Sequence, residues 1–450
     1  MVYSLDDFVI VLDDSIADAA PVTTKKSSLS LAWGANGGDE SARWNEGGNA
    51  DDLWQWINRL GRGVEVYDPF GSRIWEGLIH GIRAEIDGRS LAFSLDGMSN
   101  KVIVMYSYVE YLCPSSGDFN INGTPSGSTL GYDNGAGGNP TGESELVGLS
   151  GGTTLFNVTQ DEEAEIDSVD GAANTITLTD PVPGTWANND DLRYGSVMGR
   201  DMTAWASDAD SQARYGVKER LVSKSGMNAT AAAAERDALL ELWRWPLGER
   251  GRGPGGGGAR ANFVTVEAVG WWARCRWRLW HWTTRGVLSA QDQAKLIRAQ
   301  VLDFLSTDES LVEDIGHSFT QYREDYNTAQ QELLALAELG VESTDGRALV
   351  GVERGKRLFL RGAKTTDEYI MKAGGKWFNA AHQRLEPWRV RPDGYVVAED
   401  LVPATVVLAG VADPSRYYLE RVEWTWPDVV TPTPLGGRDL ETLINQGIRI

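Results

Sequence analysis

Only two cysteines, Cys113 and Cys275, occur in 450 residues, and they lie far apart in the sequence. That excludes a disulfide framework and a paired-thiolate metal site. The four histidines, His80, His281, His317 and His382, are scattered and have none of the zinc-ligand spacings. No apolar run approaches the roughly 20 residues that cross a bilayer. The first residues, Met1 to Asp7, lack a basic stretch followed by an apolar one, so a secretion leader is not expected. Positive charge is also scarce. Lys+Arg total 42 against 64 Asp+Glu, a net charge of −22. Such a chain repels DNA, RNA and anionic membranes. The expectation is a soluble protein made in a cytoplasm, with no specific nucleic acid binding and no membrane insertion.

Catalytic signatures are equally sparse. There is no G-x-S-x-G to anchor a serine nucleophile. The glycine-rich stretch from Gly251 to Gly258 lacks the G-K-[ST] and the following helix of a phosphate loop, and reads as a linker or hairpin tip. Asp208, Asp210 and Glu76 can be paired on paper as glycosidase acids, but acids on strands and turns of an acidic chain are ordinarily solvated. Asp133-Asn134-Gly135 and Asn188-Asn189-Asp190-Asp191 are cation-type loops without EF-hand spacing. The expectation is no enzyme, no cofactor and no resident metal.

What the chain does have is strand and turn patterning. At 42% apolar residues, its length suits roughly two to four domains with real cores. The clearest stretch runs from Val64 to Gly97 and predicts a three-strand meander. Val64 to Tyr67 alternates, and Asp68-Pro69-Phe70-Gly71 reverses the chain. Ile74, Glu76, Leu78, His80, Ile82, Ala84 and Ile86 then fall on one side, with Trp75 and Ile79 on the other. Asp87-Gly88 is a hairpin signal, and Leu91, Phe93 and Leu95 share a face of the return strand.

The fold class expected is mainly β with an α+β middle region, multidomain, with barrel-like β domains at both ends. Residues 1–113 form the first, with strands at Phe8 to Leu12 and Ser28 to Trp33 and a short helix at Asp51 to Leu60. Residues 114–196 read as a Gly/Ser/Asn-rich β insertion, loop-like to about Pro140, then strands at Thr153 to Val158, Ala164 to Val169 and Thr175 to Leu178. Residues 197–285 form an α+β segment with a helix over 230–243. Asp208 to Val222 is expected to pass from a polar turn into a strand. Residues 286–362 read as a small α/β module. Its helices open at Ser289 and near Asn327, and two strands flank Glu353 to Lys356. Residues 363–450 read as the second β domain, with strands at Leu385 to Val390, Tyr395 to Ala398, Thr405 to Ala409 and Tyr417 to Trp426.

Phe263 to Trp282 is expected to be one long strand or a strand pair. Arg274, Arg276 and Arg278 alternate with Cys275, Trp277 and Leu279, and Trp272, Trp280 and Trp282 share the arginine face. A basic aromatic strand can bind single-stranded nucleic acid. In so acidic a chain, a subunit contact or an intrachain ladder fits better. Trp75, Trp272, Arg274, Arg276, Trp277, Arg278, Trp280 and Trp282 are therefore the candidate interface residues.

Three patches together resemble the tail-hub (baseplate hub, tail-tip) proteins of tailed bacteriophages. They are the meander, with Y-D-x-F-G, W-E-G-x-I, D-G-R and F-x-L-D-G; Ala213 to Glu219 with the helix after it; and Trp388 to Val397 with Asp400-Leu401 and the late strand ending in Trp424 and Trp426. The resemblance implies a structural virion protein without catalytic residues. It implies a homotrimeric ring with pseudo-sixfold barrels, joining the tail tube or distal tail ring to a spike or fibres, with the tape measure protein as a further tail partner. The rival expectations are a receptor- or carbohydrate-binding tail protein, with 114–196 as the binding segment, and a tail-associated polysaccharide or peptidoglycan hydrolase.

Overall fold

The computed structural model describes residues 3–12, 25–86, 89–112, 119–133, 151–252, 262–344, 346–372, 376–392, 394–398, 416–427 and 429–434. The Asp87-Gly88 turn, Cys113, Asn134-Gly135, residues 253–258, Asp393, Asp400-Leu401 and the expected strand at 405–409 lie outside them. The fold is mixed α/β, with a helical middle region and several β-sheets. The chain divides into two compact units. The first comprises Met1–Val102, Trp205–Leu221 and Ala238–Ile450, and the second Ile103–Ala204 and Val222–Asp237.

The first unit is organised by one large sheet. Its main path begins at strand Val9–Leu12 and continues through Gly63–Tyr67, Arg73–Ile86, Phe263–Gly270, Gly37–Gly47 and Lys25–Gly34. It then passes to Arg416–Thr425, Tyr395–Ala398, Asp367–Lys372, Lys376–Asn379 and Arg384–Leu385. Strands from the two ends of the chain are therefore neighbours. Leu31 stands opposite Trp424 and Trp33 opposite Val422 in the antiparallel pair. All four are buried, so one apolar layer is made from both ends. The expectation of barrel-like domains at both ends is corrected here. Among the described residues no sheet closes into a barrel, because no pairing joins the first and last strands of the path.

The meander forms as expected at Gly63–Tyr67, Arg73–Ile86 and Arg89–Ser94. The one-sided pattern drawn for its long strand does not hold. Ile74 to Ile79 is buried without alternation, so both faces of the strand are covered there. Gly77 is required there, since a Cβ would overlap the Val269 carbonyl and the Trp75 ring.

Gly37–Gly47 is a strand that its polar composition conceals. It pairs on both edges, with Lys25–Gly34 and Phe263–Gly270, and turns Ala42 and Trp44 into the core. Asp208 caps a helix, Ala209–Tyr215, where only a turn was expected; its carboxylate accepts from the Ser211 amide at 2.8 Å. The helices Ala229–Trp243, Ala290–Val301 and Ala329–Glu338 match their sequence signals, with Ser289 and Thr328 as N-caps of the latter two. Leu385 to Val390 is not a strand beyond Leu385. Pro387–Arg389 is a 3-10 turn, which suits proline at its first position.

The second unit is antiparallel, in the order Lys101–Leu112, Leu192–Met202, Thr153–Asn157, Glu162–Asp170, Thr175–Leu178, Thr129–Asp133, Asn120–Ser126. The last two strands occupy the stretch expected to be loop. Their Ile121, Leu130 and Tyr132 alternate into a separate core with Phe119, Leu155 and Ile166. Gly127 takes the positive φ of 62° that their tight connection needs.

Candidate functional site

The Arg/Trp segment is not a strand ladder. Strand Phe263–Gly270 ends in a helical turn, Trp271–Arg274, then a 3-10 turn, Cys275–Trp277, before strand Leu279–Ser289. Gly270 lies so close to Gly37–Gly47 that a Cβ would overlap the Asp39 carbonyl oxygen, and the chain leaves the sheet there. Arg274, Arg276 and Arg278 therefore share no strand face. Trp75, Trp277, Trp280 and Arg278 are buried within the first unit, Trp272 and Arg274 are half-buried, and Arg276 is exposed. The Trp282 side chain lies outside the described residues.

Each buried member has an internal task. The Arg278 guanidinium meets Asp303 at 2.6 Å and Glu219 at 3.6 Å. Glu219 also accepts from the Lys101 ammonium at 2.8 Å and the Leu279 amide at 2.6 Å. Arg274 lies over the Phe304 ring at 4.5 Å, and burial pulls its pKa down to about 10. The Lys218 ammonium sits 5.0 Å from the Trp277 ring and donates to the Leu95 and Asp96 carbonyls; burial lowers its pKa to about 8. Cys275 is wholly enclosed, which pushes its thiol well above the ordinary range.

The three sequence patches meet in this unit. Asp68, at the meander's first turn, accepts from the Phe70 and Ser72 amides at 3.0 and 2.9 Å and from Arg389 at 2.9 Å. The Ile74 carbonyl accepts from Arg391 at 3.0 Å and from the Trp33 indole at 3.2 Å. Trp388 packs edge-on to Phe8 and Trp424, at ring separations of 5.0 and 5.8 Å. The middle patch docks on the meander's end. Asn100 donates to the Gly216 carbonyl at 2.8 Å and accepts from the Lys218 amide at 2.8 Å. His80 meets Asp96 at 2.8 Å, and burial, outweighing the Asp96 charge, lowers the imidazole pKa.

The suspected acids also have structural partners. Glu76 is buried, accepts from the Gly355 and Lys356 amides at 3.0 Å each, and pairs with Arg73 at 2.8 Å. Asp208 is a helix cap paired with Arg244 at 3.0 Å, and Asp210 is exposed. Asp190 is filled by donors, Asn157 and the Ala187 amide at 2.9 Å each and Gln160 at 3.2 Å. Among the described residues no group of three or more His, Cys, Asp or Glu is placed to hold a metal ion.

Three concavities remain among the described residues, one of them about 250 Å³ and lined by Glu65, Glu76, Trp271 and Lys356. A cavity of about 620 Å³ beside the end of helix Ala329–Glu338 carries both signs, Glu338 and Glu342 with His317 and Arg347, and selects no one ligand charge. A smaller one, about 100 Å³, gathers Arg354, Arg361 and Arg391 around Asp39. Sequence reasoning missed this cluster because its members come from three distant segments. The spacing Arg354, Arg357, Arg361 in so acidic a chain was the one available signal.

No family model, no curated protein and no solved structure matches this chain.

Proposed function

We propose that the chain is a structural virion protein, a hub at the tip of a bacteriophage tail. In this reading it forms a homotrimeric ring that joins the tail tube or distal tail ring to a spike or fibres and lets DNA pass. One observation carries the reading. The three patches that bear the hub likeness, separated by long stretches of sequence, bond directly to one another through Asp68–Arg389, Ile74–Arg391 and Asp96–Lys218. Patches joined in this way form one structural unit, which supports the reading. The net charge of −22 suits a passage along which DNA slides by repulsion. Mapping the acids in an assembled ring tests this; a neutral or basic inner wall would defeat it.

A second reading, host or carbohydrate contact through the second unit, has its own support. Met198 stands opposite Val109 on that unit's sheet, and they are 66% and 48% exposed. Deleting 114–196 should leave ring assembly intact if the hub reading is right, and should abolish adsorption if this unit is the contact. Incubation with peptidoglycan or host capsule separates both from a hydrolase, because released fragments would overturn the structural role.

A further inference from the structure

Resting on the hub reading for the existence of a ring, we propose that the surface around Trp243 and Trp245, which carries Arg220 and Arg276, is a docking face for a second copy of this chain, met on an acidic surface of that copy.

The face is built in the first unit, where helix Ala229–Trp243 ends. Leu242, Trp245 and Leu247 are 60%, 40% and 61% exposed, three large apolar side chains within six residues. Soluble chains ordinarily scatter exposed apolar residues singly, and a cluster with a polar rim marks an interaction surface. The Arg220 guanidinium lies 3.9 Å from the Trp243 ring centre, and Trp245 stands edge-on to Tyr215 at 6.2 Å. The rings are thus held before a partner arrives. Tryptophan and arginine are also the side chains that dominate binding energy when a contact buries them.

The charge of the face is opposite to that of the chain. Arg220 and Arg276 are exposed, and neither has a carboxylate partner among the described residues. Both act on the Lys218 ammonium, which places the three cations in one Coulombic neighbourhood. Lys218 donates to the Leu95 and Asp96 carbonyls, which carry no net charge. The acids close by are already engaged. Asp96 meets His80 at 2.8 Å, and Glu219 meets Lys101 at 2.8 Å. Arg244 holds Glu241 at 2.6 Å and Asp208 at 3.0 Å.

This chemistry selects both the occupant and the symmetry. A twofold contact through this face would set Arg220 and Arg276 against the same residues of the other copy, and like charges brought together oppose association. The complement is an acidic surface, which a chain with 64 acids against 42 bases has in excess. A basic face of one copy on an acidic face of the next is a head-to-tail contact, the kind that generates a ring when its rotation closes. Single-stranded nucleic acid could stack on the same rings, but it would have to approach a chain of net charge −22 that repels it.

Light scattering of the purified full chain tests the contact, with Arg220→Glu/Arg276→Glu and Trp245→Ser/Leu247→Ser as separate variants. All four positions are exposed, so thermal midpoints followed by circular dichroism should match the parent's. Each variant should raise the concentration at which half the chain is assembled by about tenfold or more. Raising salt from about 0.05 M to about 0.5 M should weaken assembly of the parent, and should weaken it less in the arginine variant. A parent that assembles, with both variants assembling equally well, would overturn the docking face and leave the hub reading standing. A parent that is monomeric at every concentration would overturn both. A fluorescently labelled single-stranded oligonucleotide probes the other occupant. No saturable binding is expected, and binding that the arginine variant loses would overturn the assignment to a second copy.

Discussion

Asp39→Asn should stabilise this protein in mildly alkaline solution and do little in acid. Asp39 sits where Gly37–Gly47 meets the meander's long strand, and its carboxylate oxygen accepts from the Glu76 amide at 2.9 Å. Burial raises its pKa from 3.8 to about 7 against the pull of Arg391 and Arg354. Because the folded value is the higher one, the native state holds a proton there that the unfolded chain has released. Stability is therefore full below about pH 4 and falls as pH rises to about 7, where the loss levels off. About three pKa units at about 1.4 kcal/mol each set a ceiling of about 4 kcal/mol. Asparagine keeps a carbonyl oxygen for the Glu76 amide and never ionises. The gain over the parent chain should thus grow from near zero at about pH 4 to at least about 1 kcal/mol at about pH 8, after allowing for an amide N–H that needs its own acceptor. Urea unfolding followed by tryptophan fluorescence, in a zwitterionic buffer free of oxyanions, reads the difference. A gain that is constant with pH, or a variant that loses ground as pH rises, would mean that Asp39 is a paired carboxylate and that burial does not dominate.

Other substitutions probe the junctions that build the first unit. Asp68→Ala strips acceptors from two turn amides and from Arg389 and should cost about 2–4 kcal/mol in denaturant unfolding. Glu219→Ala leaves the buried Arg278 without its buried partner and also releases Lys101. It should cost about 3–5 kcal/mol, whereas Arg276→Ala, at an exposed position, should change stability by under about 0.5 kcal/mol. Trp424→Ala opens a cavity beside Phe8 and Trp388 and should cost about 3–5 kcal/mol by the same assay. Gly77→Ala forces a Cβ against the Val269 carbonyl, and a thermal scan should report a loss of about 1–3 kcal/mol; an unchanged midpoint would mean that the two strands can part at no cost.

Local signals in the sequence were legible where hydrophobic period and turn chemistry agreed. The meander, the Ser289 and Thr328 caps and the late strand Arg416–Thr425 are of this kind. Strands that owe their existence to neighbours were not. Gly37–Gly47 and Asn120–Ser126 are polar or glycine-bearing, and pairing with adjacent strands, not propensity, makes them strands. The Arg/Trp alternation at 274–278 imitates a period of two, yet the close approach at Gly270 turns the chain into a helical turn instead. Burial then gives Trp75, Trp277, Trp280 and Arg278 tasks inside the fold, which leaves Arg276 exposed among the interface candidates with described side chains. The pairing of Leu31 with Trp424 and the gathering of Arg354, Arg361 and Arg391 around Asp39 are products of topology, and no local pattern encodes them.

We propose that this chain assembles into a tail-hub ring. The most direct test is the mass of the purified protein by light scattering across a range of concentrations, with particle images of the same sample. A hub ring should give a species of about three times 49.2 kDa that appears as a threefold ring. A monomer at every concentration, with no ring in the images, would contradict it.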